Sequence, residues 1–120
     1  MVKLDEFLLP NASTCIVACA ATTARFWTSD SRFGKWTLLA ELRAPDAAKH
    51  EIQRFAREIA GCLNRGVASG TFKHIVIIAT PGLLGHLRTE LSDNARRAVA
   101  LEASKNLSGL DVDEVQHYFR

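Results

Sequence analysis

The stretch Thr80-Pro81-Gly82, followed by His86 and Arg88, carries the residue types best suited to chemistry in this chain. A threonine that ends a strand and a proline that opens a helix leave backbone N–H groups free at the helix N-terminus, and such groups attract anions. His86 is of a residue type that serves as a general base or ligand, while Arg88, with Arg25 from an earlier strand, offers positive charge to a phosphate or carboxylate. Thr80, Gly82, His86, Arg88 and Arg25 are therefore the candidate ligand-binding residues, and a phosphate-ester enzyme built on this rim is one functional reading. A plainer reading stands beside it, with Thr80 as an ordinary N-cap, Gly82 as a close-packing residue and the arginines as solvated charges.

Other chemistries find less. None of His50, His74, His86 and His117 has a second histidine at i+4 or lies in a Cys-x-x-Cys frame, so no metal site is expected. The serines lack a Gly-x-Ser-x-Gly elbow, and no glycine-rich loop matches a phosphate cradle. No catalytic residue and no cofactor is assigned.

The elements that position these residues follow from periodicity. Thr14 to Ala20 is apolar on both faces and reads as a central strand, Ala24 to Ser29 as a second strand, and Lys35 to Arg43 as a third. Strict alternation puts Trp36, Leu38, Ala40 and Leu42 on one face of that third strand, and its more polar other face marks an edge. Asp46 offers an N-cap to a helix whose apolar stripe is Ile52, Phe55, Ala56, Ile59, Ala60 and Leu63, with Gly66 and Gly70 as its terminators. His74 to Ala79 is a second buried strand, predicted to run parallel to the first because a helix separates them. A helix opening at Pro81, a turn at Asp93 to Arg97, a strand from Ala98 to Ala103 with Val99, Leu101 and Ala103 alternating against Glu102, and a C-terminal helix capped by Asp111 and Glu114 complete the chain. The order β-β-β-α-β-α-β-α is that of a ribonuclease H-like α/β fold. It implies a mixed five-stranded sheet ordered 3-2-1-4-5.

The 120 residues, 48% of them hydrophobic, suffice for one domain, read as residues 13–120 after a flexible segment over 1–12. No apolar run approaches the roughly 20 residues that cross a bilayer, and the acidic start of the N-terminus argues against a secretory signal. Cys15, Cys19 and Cys62 are odd in number and set in apolar patterns, which suits reduced, buried thiols and a cytoplasmic location. A net charge of +2 with acids interleaved among the arginines permits nucleic-acid binding without indicating it.

Five segments together resemble the bacterial host-attachment protein family. They are Ala24-Arg25-Phe26, Phe55 to Ile59, Phe72 to Ala79, Leu84 to Arg88 and Lys105-Asn106-Leu107. That family is similar in fold to the middle domain of archaeal and eukaryotic peptide-chain release factors. Two departures are visible here: only Arg43 to Lys49 joins the third strand to the first helix, where family members carry a longer polar segment, and Ala20 stands where members often have an aspartate. A two-metal nuclease needs carboxylates on the central strands, and this chain has none there. A release-factor hydrolase needs a Gly-Gly-Gln loop, yet Gln53 and Gln116 follow no glycine pair.

The resemblance thus implies a non-enzymatic binding domain, with the ribosome or RNA as the partner suggested by the release-factor relatives, while the short apolar runs imply no insertion into membranes. Trp27, Phe33 and Trp36 cluster around the second hairpin, where aromatics either pack beneath helices or form a surface for a homodimer.

Overall fold

A computed structural model describes residues 14–20, 23–29, 36–43, 49–105 and Val115. The expected flexible segment over 1–12, the Asp46 cap, Phe33 and the Asp111/Glu114 capping pattern lie outside the described residues. Eight elements are described: β1 (Thr14–Ala20), β2 (Thr23–Ser29), β3 (Thr37–Arg43), α1 (Lys49–Ala68), β4 (His74–Ala79), α2 (Pro81–Glu90), α3 (Asp93–Ala98) and β5 (Val99–Ser104). The five strands form one α/β sheet in the order β3-β2-β1-β4-β5, as the element order predicts. β1 pairs antiparallel with β2 and parallel with β4, so the two strands with no polar face stand at the centre.

Alternation splits the core in two. Cys15, Val17, Cys19, Ile75 and Ile77 point to the side covered by α1, α2 and α3, where Phe55, Ile59, Leu63, Leu84 and Leu87 meet them. Ile16, Ala18, Val76 and Ile78 point to the other side, packing with Trp27 and with Val115. Ile59, Leu63 and Leu87 are fully buried, each a contribution of about 1.5–3 kcal/mol from the apolar surface removed from water.

Both edge strands depart from strict alternation. The β2–β3 register shifts between Phe26 and Trp27, so that Phe26 opposes Ala40 while Trp27 opposes Leu38. Leu39 is the extra residue, and because opposed residues share a face, Leu38 joins Trp27 on one side while Ala40 and Leu42 lie on the other. The expected single face of Trp36, Leu38, Ala40 and Leu42 is therefore divided: Trp36 packs with the Trp27 cluster and Leu42 with the helix-side core. β5 repeats the device, since Ile75 opposes Val99 but Val76 opposes Leu101. That shift separates Val99, on the helix side, from Leu101 and Ala103.

Gly66 does not end α1, which continues to Ala68. The reversal comes at Gly70, whose φ of +80° belongs to the left-handed region that favours glycine. Thr71 and Phe72 both donate their N–H groups to the Gly66 carbonyl, at 2.9 and 3.1 Å. This fold-back lays the Phe72 ring against the Gly66 Cα, and a Cβ built there would lie 2.2 Å from a ring carbon.

Candidate functional site

At the exit of β4, Ala79 is buried and Thr80 extended, with its carbonyl accepting the first helical bond of α2 from Leu84 N–H at 2.9 Å. Pro81 occupies the first turn as the sequence predicts, but the Thr80 hydroxyl makes no capping bond. A Cβ at Gly82 would meet nothing within 4 Å, so this glycine is not required by close packing. His86 is half-buried farther along the same helix.

The two candidate arginines are engaged elsewhere. Arg88 bonds Glu102 of β5 through Nε at 2.9 Å and Nη2 at 2.8 Å, clasping α2 to the sheet edge. Arg25 is opposed by Ala18, whose side chain lies on the face away from α2, and its Nε donates to Glu41 at 2.6 Å. Arg43 donates to the other oxygen of Glu41 at 2.9 Å, and the hydrogen bonds from Arg25 and Arg43 hold this carboxyl below its ordinary range. Thr80, Gly82 and His86 thus share one helix start, whereas Arg25 lies across the sheet from it.

Arg88 also lines a cleft of about 350 Å³ with Leu91, Arg96, Val99 and Glu102. Arg96 Nε donates to the Arg88 carbonyl at 3.1 Å, and α3 itself begins at Ser92, whose hydroxyl accepts from Ala95 N–H. Asn64 of α1 fastens this corner. Its Nδ2 donates to the Glu90 carbonyl at 3.3 Å, and its Oδ1 accepts from Ser92 N–H at 2.9 Å.

A second concavity, of about 380 Å³, lies between α1 and Leu42 of β3. Arg57, Glu58, Gly61, Cys62 and Arg65 line its helical wall. Gly61 has no side chain, which lets the Arg65 guanidinium lie back along the helix: a Cβ there would come within 3.3 Å of Arg65 Nη1. Arg65 Nη2 also approaches Cys62 Sγ at 3.5 Å, and Arg57 reaches Glu90 at 3.4 Å while remaining largely exposed. Cys15 and Cys19 are fully buried, with thiols pushed up to about 12 chiefly by burial, whereas Cys62 is only half-buried. Among the described residues, no group of three His, Cys, Asp or Glu side chains is placed to hold a metal ion.

A family model described as a protein required for attachment to host cells matches residues 42–119. The chain belongs to this host-attachment family. The match takes in α1, β4, α2, α3 and β5, hence the groove wall, the Thr80 rim and the Arg88 cleft alike. No curated protein matches the sequence. Among solved structures, one described as an archaeal protein has a TM-score of 0.59 at 11% identity, covering 90% of this chain and 33% of its own. The crystal structure of an archaeal translation termination factor, aRF1, has a TM-score of 0.56 at 13% identity, covering 95% of this chain and 39% of its own. At such identities the likeness is one of fold, and the host-attachment chain spans well under half of either protein.

The groove of this host-attachment chain was the part that periodicity alone passed over. Arg57, Gly61 and Arg65 recur at i, i+4 and i+8, and Glu58 and Cys62 at i and i+4. A glycine midway along a helix between two arginines is the signal that a guanidinium has room to fold down.

Proposed function

We propose that this host-attachment chain is a binding domain, not an enzyme, and that its partner is the ribosome or an RNA within it. The observation that carries the reading is the fold shared with an archaeal translation termination factor over 95% of this chain. Hydrolysis in the manner of a release factor is set aside because the sequence has no Gly-Gly-Gln loop. Sedimentation of the purified chain with ribosomes through a sucrose cushion tests the proposal. Co-sedimentation at low ionic strength that weakens steeply with salt is expected; a chain left in the supernatant at every salt concentration would sink it.

A second reading, self-association, is supported by the β3 edge. Leu38 and Leu39 are 55% and 53% exposed there, and an edge strand presents unpaired backbone groups to a like strand. Trp27 is a core residue, 3% exposed, with its ring centroid 5.9 Å from that of Trp36. The leucines, more than the tryptophans, would carry such a contact. Light scattering over a range of concentrations tests it, a monomer throughout being the adverse result.

A further inference from the structure

The helical layer differs in charge from the rest of the molecule. From Lys49 to Ala98 basic residues outnumber acidic ones two to one, although the whole chain carries only +2. Arg54, Arg57, Arg65, Arg96 and Arg97 are all exposed on this layer, a pattern that attracts a polyanion and leaves its sequence unread. The groove on α1 adds what a polyanion alone does not need. Among the described residues its lining combines Leu42, Gly61 and Cys62 with Arg57 and Arg65, and Glu58 is the one acid in that set.

We infer that this groove is a seat for one unstacked base of single-stranded RNA, with the flanking phosphates on Arg57 and Arg65. Several features of the chemistry agree. The uncharged part of the lining, Leu42, Gly61 and Cys62, does not attract a phosphate but accepts the face of a base, and the Arg65 guanidinium beside Gly61 offers a planar group on which a base stacks. Glu58 repels phosphate yet accepts a hydrogen bond from the exocyclic amino group of cytosine or adenine. The volume of about 380 Å³ lies within the range of small-molecule pockets. This assignment rests on the RNA reading proposed above and specifies the surface through which it acts.

Cys62 supplies the test, because it lines the groove while Cys15 and Cys19 are buried. Labelling of the intact chain by a neutral maleimide should modify Cys62 first. A short oligocytidylate at saturating concentration, with binding followed independently by fluorescence anisotropy, is expected to slow that labelling about tenfold by mass action. Inorganic polyphosphate, which has the charge but no base, is expected to leave the rate within about twofold. Gly61→Leu, which fills the groove and displaces the Arg65 guanidinium without removing its charge, should weaken oligocytidylate binding about tenfold, with circular dichroism confirming that the variant folds. Asn94→Ala, an uncharged exposed position on α3, should leave protection of Cys62 intact. Oligocytidylate that binds without protecting Cys62 overturns the groove assignment alone, and so does equal protection by polyphosphate. Failure of oligocytidylate to bind at all, with ribosomes still co-sedimenting, also overturns the groove; failure of both removes the RNA reading with it.

Discussion

At the entry to β4 the backbone of α1 presses through Gly66 onto the Phe72 ring, whereas at its exit Gly82 and Gly85 of α2 face open space. The same residue type therefore serves opposite ends of one strand for different reasons. At the entry, glycine is the only residue that lets the chain fold back so closely, since even one carbon would sit 2.2 Å from the ring. At the exit, no neighbour demands it. The entry end is held by packing and by two hydrogen bonds to one carbonyl. The same end of the sheet also carries a charge cluster, Arg25–Glu41–Arg43, near the last residues of β1 and on the face away from α2.

The largest expected effect comes from breaking the entry. Gly66→Ala forces Phe72, 5% exposed, out of its seat, and overpacking of this kind costs about 3 kcal/mol. Chemical denaturation should show a reduced midpoint with little change in slope. Adding Phe72→Leu to Gly66→Ala should recover part of the loss; a double variant as unstable as the sum of the two single changes would mean that the ring contact is not the cause.

How far these junctions were legible in the sequence differs between them. The proline at the start of α2 and the apolar runs of β1 and β4 encode their elements locally, so strand order and helix starts follow from type and spacing. Gly66 reads as a helix terminator by the usual rule, because the contact that explains it is made by Phe72, six residues on, after the chain has reversed. Leu38 and Val99 keep other companions than alternation predicts for a related reason. A bulge leaves no mark in an alternating pattern, and only the partner strand reveals the extra residue. The candidate site divides along the same line: Thr80, Gly82 and His86 are neighbours in sequence and on one helix, while the ties of Arg88 to Glu102 and Arg25 to Glu41 are long-range.

The corner beyond α2 sharpens the comparison. Asn64 holds the Glu90 carbonyl and the Ser92 N–H with one side chain, so Asn64→Ala should cost about 1–2 kcal/mol for the paired loss. Amide hydrogen exchange should quicken at Ser92 and through α3 more than in β4. Thr14 is a test of opposite sign in the sheet, near the entry end. Its hydroxyl is buried with no hydrogen-bond partner among the described residues, and Thr14→Val should raise stability by about 1 kcal/mol, as removal of an unpaired buried hydroxyl does. A lower melting temperature in that variant would show that the hydroxyl is satisfied after all.

At the exit, replacements should be tolerated or favourable. Gly82→Ala and Gly85→Ala place a methyl group in open space within α2, and each should stabilise by about 0.5–1 kcal/mol through helix propensity. Thr80→Ala removes no capping bond and should change the melting temperature far less than Asn64→Ala. Destabilisation by either glycine substitution would contradict the open exit.

The smallest effect is the most diagnostic of charge. Glu41 is held below its ordinary 4.5 by hydrogen bonds from Arg25 and Arg43, so its contribution is complete above that value and is lost as pH falls through the lowered one. Because the group is solvated, the gain is small and screened by salt. The melting temperatures of the native chain and Glu41→Gln should therefore differ slightly at neutral pH and converge as pH falls through the lowered value, below which both carry an uncharged side chain at this position. Gly66→Ala should show no such convergence, since a ring against a backbone carbon has nothing to titrate. If the Glu41→Gln gap instead stayed constant with pH, the Arg25–Glu41–Arg43 cluster would be acting through shape, and the contrast between a packed entry and a titrating cluster at the opposite end of the sheet would fail.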